Sequence, residues 1–212
     1  MSSAELYNQI YLNNKSYLQY GDIDIDKILA SRKPDLRRGI SLIIPIRQIF
    51  TSYEHLVNVF SNIDPGQYYY NFDDLHITVF DFIRAKNEYQ RNSSHEDAFL
   101  EISKKAVDKI RPFKIEMKGV VFSRSAGLVK GFDNNLLVLI RKNIRELMNS
   151  YNLTNDERYE SESSHATFLR FRQTLQNPAK FNEIIENNKN AELGVEEITN
   201  FELVEHDWYN SS

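Results

Sequence analysis

The chain has 212 residues, 41% hydrophobic and 26% charged, with thirteen Phe and twelve Tyr. That suits one large domain or two small lobes on a shared core, and excludes a disordered or collagenous chain. A formal charge of −4 argues against wrapping long nucleic acid but not against a small nucleotide, and the lack of any Cys excludes disulfides, thiolate nucleophiles and Cys-held zinc.

Residues 5–20 place Leu6, Ile10, Tyr11, Tyr17 and Leu18 at helical spacing, an amphipathic first helix. No basic-then-apolar leader opens the chain and no apolar run approaches the ~20 residues of a membrane span. A soluble, cytoplasmic monomer is expected. Residues 21–39, with Pro34 and Gly39, read as a connection. GISLIIPI (39–46) has the pattern of a buried strand, and residues 47–62 carry apolar side chains at helical spacing. After the DPG turn at 64–66, the stretch 67–83 is dense in aromatic and β-branched residues, and its second half reads as a long strand.

A helix follows, with Ser94 as its expected N-cap and Pro112 near its end. FKIEMKGVVFSRS (113–125) and AGLVKGF alternate as a hairpin. Residues 135–151 open like a strand and turn helical by Asn143. SHATFLRF (164–171) reads as a strand, Pro178 as a helix start, and GVEEITNFELVEHDWYN as one long closing strand. The order predicts an α/β (α+β) fold of two lobes, each a mostly antiparallel sheet with covering helices, and a cleft between them. The expected division is a helical extension over 1–38 and a two-lobed domain over 39–209, with lobes of about 39–111 and 112–209.

Two of the five histidines begin the same short pattern, His76-Ile77-Thr78-Val79 and, 89 residues later, His165-Ala166-Thr167-Phe168. Strand alternation points a His and a Thr two apart to one face, while the fourth residue backs into the core. A single copy would read as a half-buried surface pair. Two copies, on corresponding strands of two similar units, point to one shared cleft.

With these motifs the chain resembles the two-histidine (2H) phosphoesterase superfamily, LigT-like or 2′-5′ RNA ligase-like, over about residues 39–209. The resemblance implies a duplicated fold, no cofactor and catalysis by His76, Thr78, His165 and Thr167. It also implies a substrate among 2′,3′-cyclic phosphates, 2′-5′ linkages and cyclic or short oligonucleotides. The residue chemistry agrees. Histidine exchanges protons near neutral pH, so two can serve as general base and general acid, while threonine hydroxyls donate to phosphate oxygens. Which histidine takes which role stays open at this level.

Other side chains are weaker candidates. Arg124 and Lys130 flank the hairpin and are expected to reach over the cleft rim as substrate contacts, with Tyr159 as a loop contact for a base. Tyr68, Tyr69 and Tyr70 precede the first motif, but sheet packing claims such rings. Arg84 and Lys86 follow the first motif; alternation puts Arg170 and Arg172 on the face opposite His165. Asp73, Asp74, Asp81, Glu160 and Glu162 lie near the histidines, yet no spacing matches a metal-ligand motif, so metal-independent chemistry is expected. His55, in a helix, and His95, near a helix start, read as structural or exposed, and His206 lies in the last strand with no hydroxyl following it. No Gly-rich phosphate loop is present, and no carboxylate pair suggests sugar chemistry. The alternatives are a nucleotide- or RNA-binding module without turnover, and RNA 2′-5′ ligation, which calls for a longer basic track than a −4 chain shows.

Overall fold

The computed structural model describes residues 2–87, 89–90, 92–154, 156–157 and 160–210. A single eight-stranded sheet organises them, and every pairing in it is antiparallel. Its order is β7 (Glu192–Ile198), β4 (Phe113–Phe122), β5 (Ala126–Phe132), β6 (Ala166–Arg170), β3 (His76–Lys86), β1 (Arg38–Pro45) and β8 (Glu202–His206). The short β2 (Tyr68–Tyr69) also pairs with β6. The mixed, antiparallel fold class is as the sequence predicts, with one change. The two expected sheets are joined into one, through a single bridge between Ile77 of β3 and Ala166 of β6.

That seam makes the cleft. Beyond Ala166 the edge of β6 passes from β3 to β2, whose Tyr69 and Tyr68 pair with Leu169 and Arg170. The two motif strands therefore meet at one point and then separate.

Helices α3 (Phe50–Ser61), α4 (Ser93–Val107), α5 (Leu136–Ser150) and α6 (Pro178–Asn188) bring Phe60, Phe99, Ile140 and Phe181 to one core with the sheet. Ile77, Val79, Ala166 and Phe168, at most 1% exposed, face that core. Each fourth motif residue is thus buried, as alternation predicts. The N-terminal α1 (Ser3–Tyr20) packs against β4 and α6, and a five-residue α2 (Lys27–Ser31) lies in the stretch read as a connection.

Three local readings change. Asn92, not Ser94, caps α4, its side chain accepting from the amides of Ser94 and His95. Residues 136–150 are helical throughout, because Leu137, Ile140, Ile144 and Met148 form one buried stripe and the apolar LLVLI run is its first turn. The closing alternation breaks at Thr199–Phe201, so that β7 pairs with β4 at one edge of the sheet and β8 with β1 at the other. Period-two alternation does not reveal which neighbour a strand chooses.

Candidate active site

His76 and Thr78 on β3, Thr167 on β6 and His165 just before that strand line one cleft of about 360 Å³. The bridge between Ile77 and Ala166 sets their mutual placement. In an antiparallel register, the residues flanking a bridged pair stand across from each other, so His76 comes opposite Thr167 and Thr78 opposite His165. Each motif's histidine thus stands across the seam from the other motif's threonine.

The duplication extends into the backbone. Along β1, Ile44, Ile43, Leu42 and Ser41 pair with Ile77, Thr78, Phe80 and Asp81, passing over Val79. Along β5, Val129, Leu128, Gly127 and Ala126 pair with Ala166, Thr167, Leu169 and Arg170, passing over Phe168. Both motif strands thus carry a one-residue bulge at the fourth motif position. A bulge reverses the alternation beyond it. Asp81 and Arg170, each five residues past a motif histidine, therefore line the cleft. This corrects the expectation that Arg170 faces away from His165. Arg172 does stay outside, donating to the carbonyl of Gly66 at 2.9 Å.

The ring orientations follow from hydrogen bonds. His76 Nδ1 lies 2.8 Å from the Asp74 carbonyl, which can only accept, so the proton sits on Nδ1 and Nε2 is left for the cleft. His165 Nδ1 lies 2.7 Å from Ser163 Oγ, which again leaves Nε2. Burial lowers the pKa of His76, and the nearby His206 adds to the effect; the Asp74 carbonyl and Asp81 oppose it. Burial, followed by the charges of Arg141 and Arg170, lowers the pKa of His165 to about 4.

Arg141 of α5 holds the seam from the core side. Fully buried, it donates from Nε to the Val79 carbonyl at 2.8 Å, and from Nη2 to the carbonyls of Thr78 at 3.0 Å and Ser163 at 2.8 Å. Its guanidinium therefore joins the first motif to the residues entering the second, where the sheet offers one bridge. Burial lowers its pKa to about 10, which still leaves it charged at neutral pH. Gly131 matters on the same side. A Cβ there would fall 1.9 Å from the Ser164 carbonyl, so only glycine lets that segment lie against β5.

The cleft also takes in His206, Asp81 and Trp208, none of which the sequence pattern assigns to the site. His206 Nε2 lies 2.6 Å from Ser41 Oγ, which donates to Asp81 at 2.6 Å, while His206 Nδ1 bonds to the Asp207 carbonyl. Trp208, the single tryptophan, lines the wall with the Arg37 and Arg170 guanidiniums 4.6 and 5.7 Å from its ring centre. Arg170 also donates to the Tyr70 hydroxyl at 3.4 Å. His206 escaped notice because no hydroxyl follows it; β8 reaches the site only through its pairing with β1.

Two expected substrate contacts stand elsewhere. Arg124 pairs with Asp22 at 2.7 Å and Asp24 at 3.3 Å and lies over the Tyr17 ring, because the end of α1 crosses the hairpin turn. Lys130 points toward α6, donating to the Lys189 carbonyl at 2.7 Å just past the helix end, a favoured place for a cation. Ser125 is the hairpin residue that lines the cleft. Tyr159 lies outside the described residues. Arg84 lines the cleft while pairing with Asp156 at 3.2 Å, and Lys86 pairs with the same carboxylate. Among the described residues, no group of three or more His, Asp or Glu side chains is placed to hold a metal ion, and no helix is long and apolar enough to cross a membrane.

No protein-family model and no curated protein matches the chain. Among solved structures it is similar to TT0787 of Thermus thermophilus, with a TM-score of 0.49 and 12% identity. That match covers 78% of this chain and 84% of the other.

Proposed function

We propose that this protein is a metal-independent phosphodiesterase of the two-histidine type, acting on a cyclic or 2′-5′ phosphodiester of a nucleotide or short RNA. The observation that carries the reading is the crossed pairing, in which each histidine faces the other motif's threonine and keeps Nε2 for the cleft. A phosphorus atom between them meets a proton-transfer group on either side and hydroxyl donors along its non-bridging oxygens.

His165 is the general base. Its environment keeps the ring neutral, so Nε2 accepts the proton of the attacking water as the new P–O bond forms. His76, beside Asp81, is the general acid, delivering a proton from Nε2 to the departing oxygen as the old P–O bond breaks. Arg170 and the two threonines balance charge on the oxygens that remain. One P–O bond forms as one breaks, one proton passes to His165 as one leaves His76, and exchange with solvent water then restores both rings.

Hydrolysis of a panel in EDTA tests this: 2′,3′-cyclic mononucleotides, a 2′-5′ dinucleotide, a cyclic dinucleotide and a short RNA ending in a cyclic phosphate. Wild type is expected to turn over at least one, and His76→Ala and His165→Ala each to lose roughly 10²–10⁴-fold, the usual contribution of a positioned acid or base. Full activity in either variant removes that histidine from the mechanism. Nucleotide binding without any turnover would instead identify a binding module.

A further inference from the structure

Beyond His165 the cleft continues into a second cavity of about 420 Å³, one wall of which is the N-terminal helix. Leu6, Ile10 and Asn14 recur every four residues and so stand in one row on α1. Ala126 and Leu128 of β5 complete its apolar side. The helix is held firmly in this place. The buried Tyr7 hydroxyl donates to the Gly131 carbonyl at 3.1 Å and accepts from the Gly131 amide at 3.2 Å, while Asn14 Oδ1 accepts from the Arg124 amide at 3.1 Å.

Ser125, His165, Thr167 and Arg170 line both cavities. The second histidine is therefore at a junction, with space on either side, and each arm falls within the ~300–1,000 Å³ typical of small-ligand sites. The arms differ in what they add to the shared Arg170: the first has Arg84 beside the carboxylates of Asp81 and Glu157, whereas the second has Glu160 and Glu162 with no cation of its own among the described residues. Carboxylates there repel a second phosphate, and the apolar row offers surface to an uncharged ring system.

We infer that the α1 arm is a subsite for an uncharged nucleoside on one side of the reacting phosphorus. This rests on the phosphodiesterase reading and narrows it: the substrate is a diester carrying a sizeable group on each side, and the N-terminal helix is part of its binding site.

The test is a binding measurement independent of turnover. A dinucleoside phosphonate, with methylene in place of the scissile ester oxygen, is compared by calorimetry with the matching nucleoside methylphosphonate, which lacks the second nucleoside. Wild type is expected to bind the dinucleoside at least tenfold more tightly. Ile10→Trp, which fills the arm, should abolish that gain. Because Ile10 also packs on the small Tyr7 cluster, Leu6→Trp serves as a second variant, and both are checked for wild-type circular dichroism and thermal midpoint. No gain in wild type, or a gain that persists in both folded variants, overturns the subsite. If the gain and its loss are seen but the panel shows no turnover, the subsite stands and the phosphodiesterase reading falls. Turnover without the gain has the opposite meaning.

Discussion

Asp81 and Arg170 occupy the same position in the two halves of the sheet. Each lies one residue beyond a pair that follows the bulge, opposite Ser41 in one case and Ala126 in the other. The duplicated backbone thus presents opposite charges to one cleft. Burial lowers the pKa of both histidines, but Asp81 opposes that effect at His76 while Arg170 adds to it at His165, so the two rings lie in unlike fields although the motifs are alike.

Arg170→Gln is accordingly expected to lower kcat/KM by roughly 10²–10³-fold, the scale of one lost charge-stabilising donor. It should also move the acidic limb of the pH profile upward, since His165 loses a nearby cation. An unchanged limb in Arg170→Gln would place the guanidinium too far from the ring to matter.

The pH dependence of kcat/KM should be bell-shaped, with both limbs on the acid side of neutrality. Activity rises with pH as His165 becomes neutral around its pKa of about 4, and falls as His76 loses its second proton below the ordinary 6.5. A rate that climbs steadily to pH 9 would point instead to hydroxide attack or a lone base. The same shift bears on stability. His165 binds its proton less readily when folded, so the protein should lose stability as pH falls from 6.5 toward about 4 and lose no more from this group below that.

Removing the buried clamp is expected to cost more in folding than a surface change. Arg141→Met leaves the carbonyls of Thr78, Val79 and Ser163 without their donor, and should destabilise by roughly 3–5 kcal/mol in denaturant melts. Wild-type stability would mean that the single strand bridge suffices to hold the seam.

Tyr7→Phe probes the seating of α1. It leaves both the amide and the carbonyl of Gly131 without the hydroxyl, at a cost of about 1–3 kcal/mol. Amide exchange should quicken across residues 3–20 before the rest of the chain. Uniform protection would show that α1 is held by its apolar contacts alone.

Much of this architecture was readable in advance, for physical reasons particular to each segment. The 113–132 hairpin alternates in burial over its first residues, 114–117, whereas 119–122 and 126–129 are buried on both faces, with Tyr7 of α1 against Val121, Ala126 and Leu128. Pro178 marks α6 because its fixed φ suits a first helical turn. Residues 136–150 misled because a short apolar run at the head of a helix looks like a strand until its second turn is counted. Arg170 misled because the bulge at Phe168 adds a residue that alternation cannot anticipate. Arg124 and Lys130 were misplaced because α1 and the end of α6, remote in sequence, supply their partners.

The sequence by itself determined that two His-x-Thr pairs lie on strands, each with its imidazole and hydroxyl on one face and an apolar residue behind, since that depends only on the two-residue period of a strand. It could not determine that the strands are neighbours, that one bridge crosses each histidine to the other motif's threonine, or that His206, Asp81 and Trp208 join them. Those depend on register, bulges and strand order, which are settled by packing between segments far apart in the chain, and no local pattern records that choice.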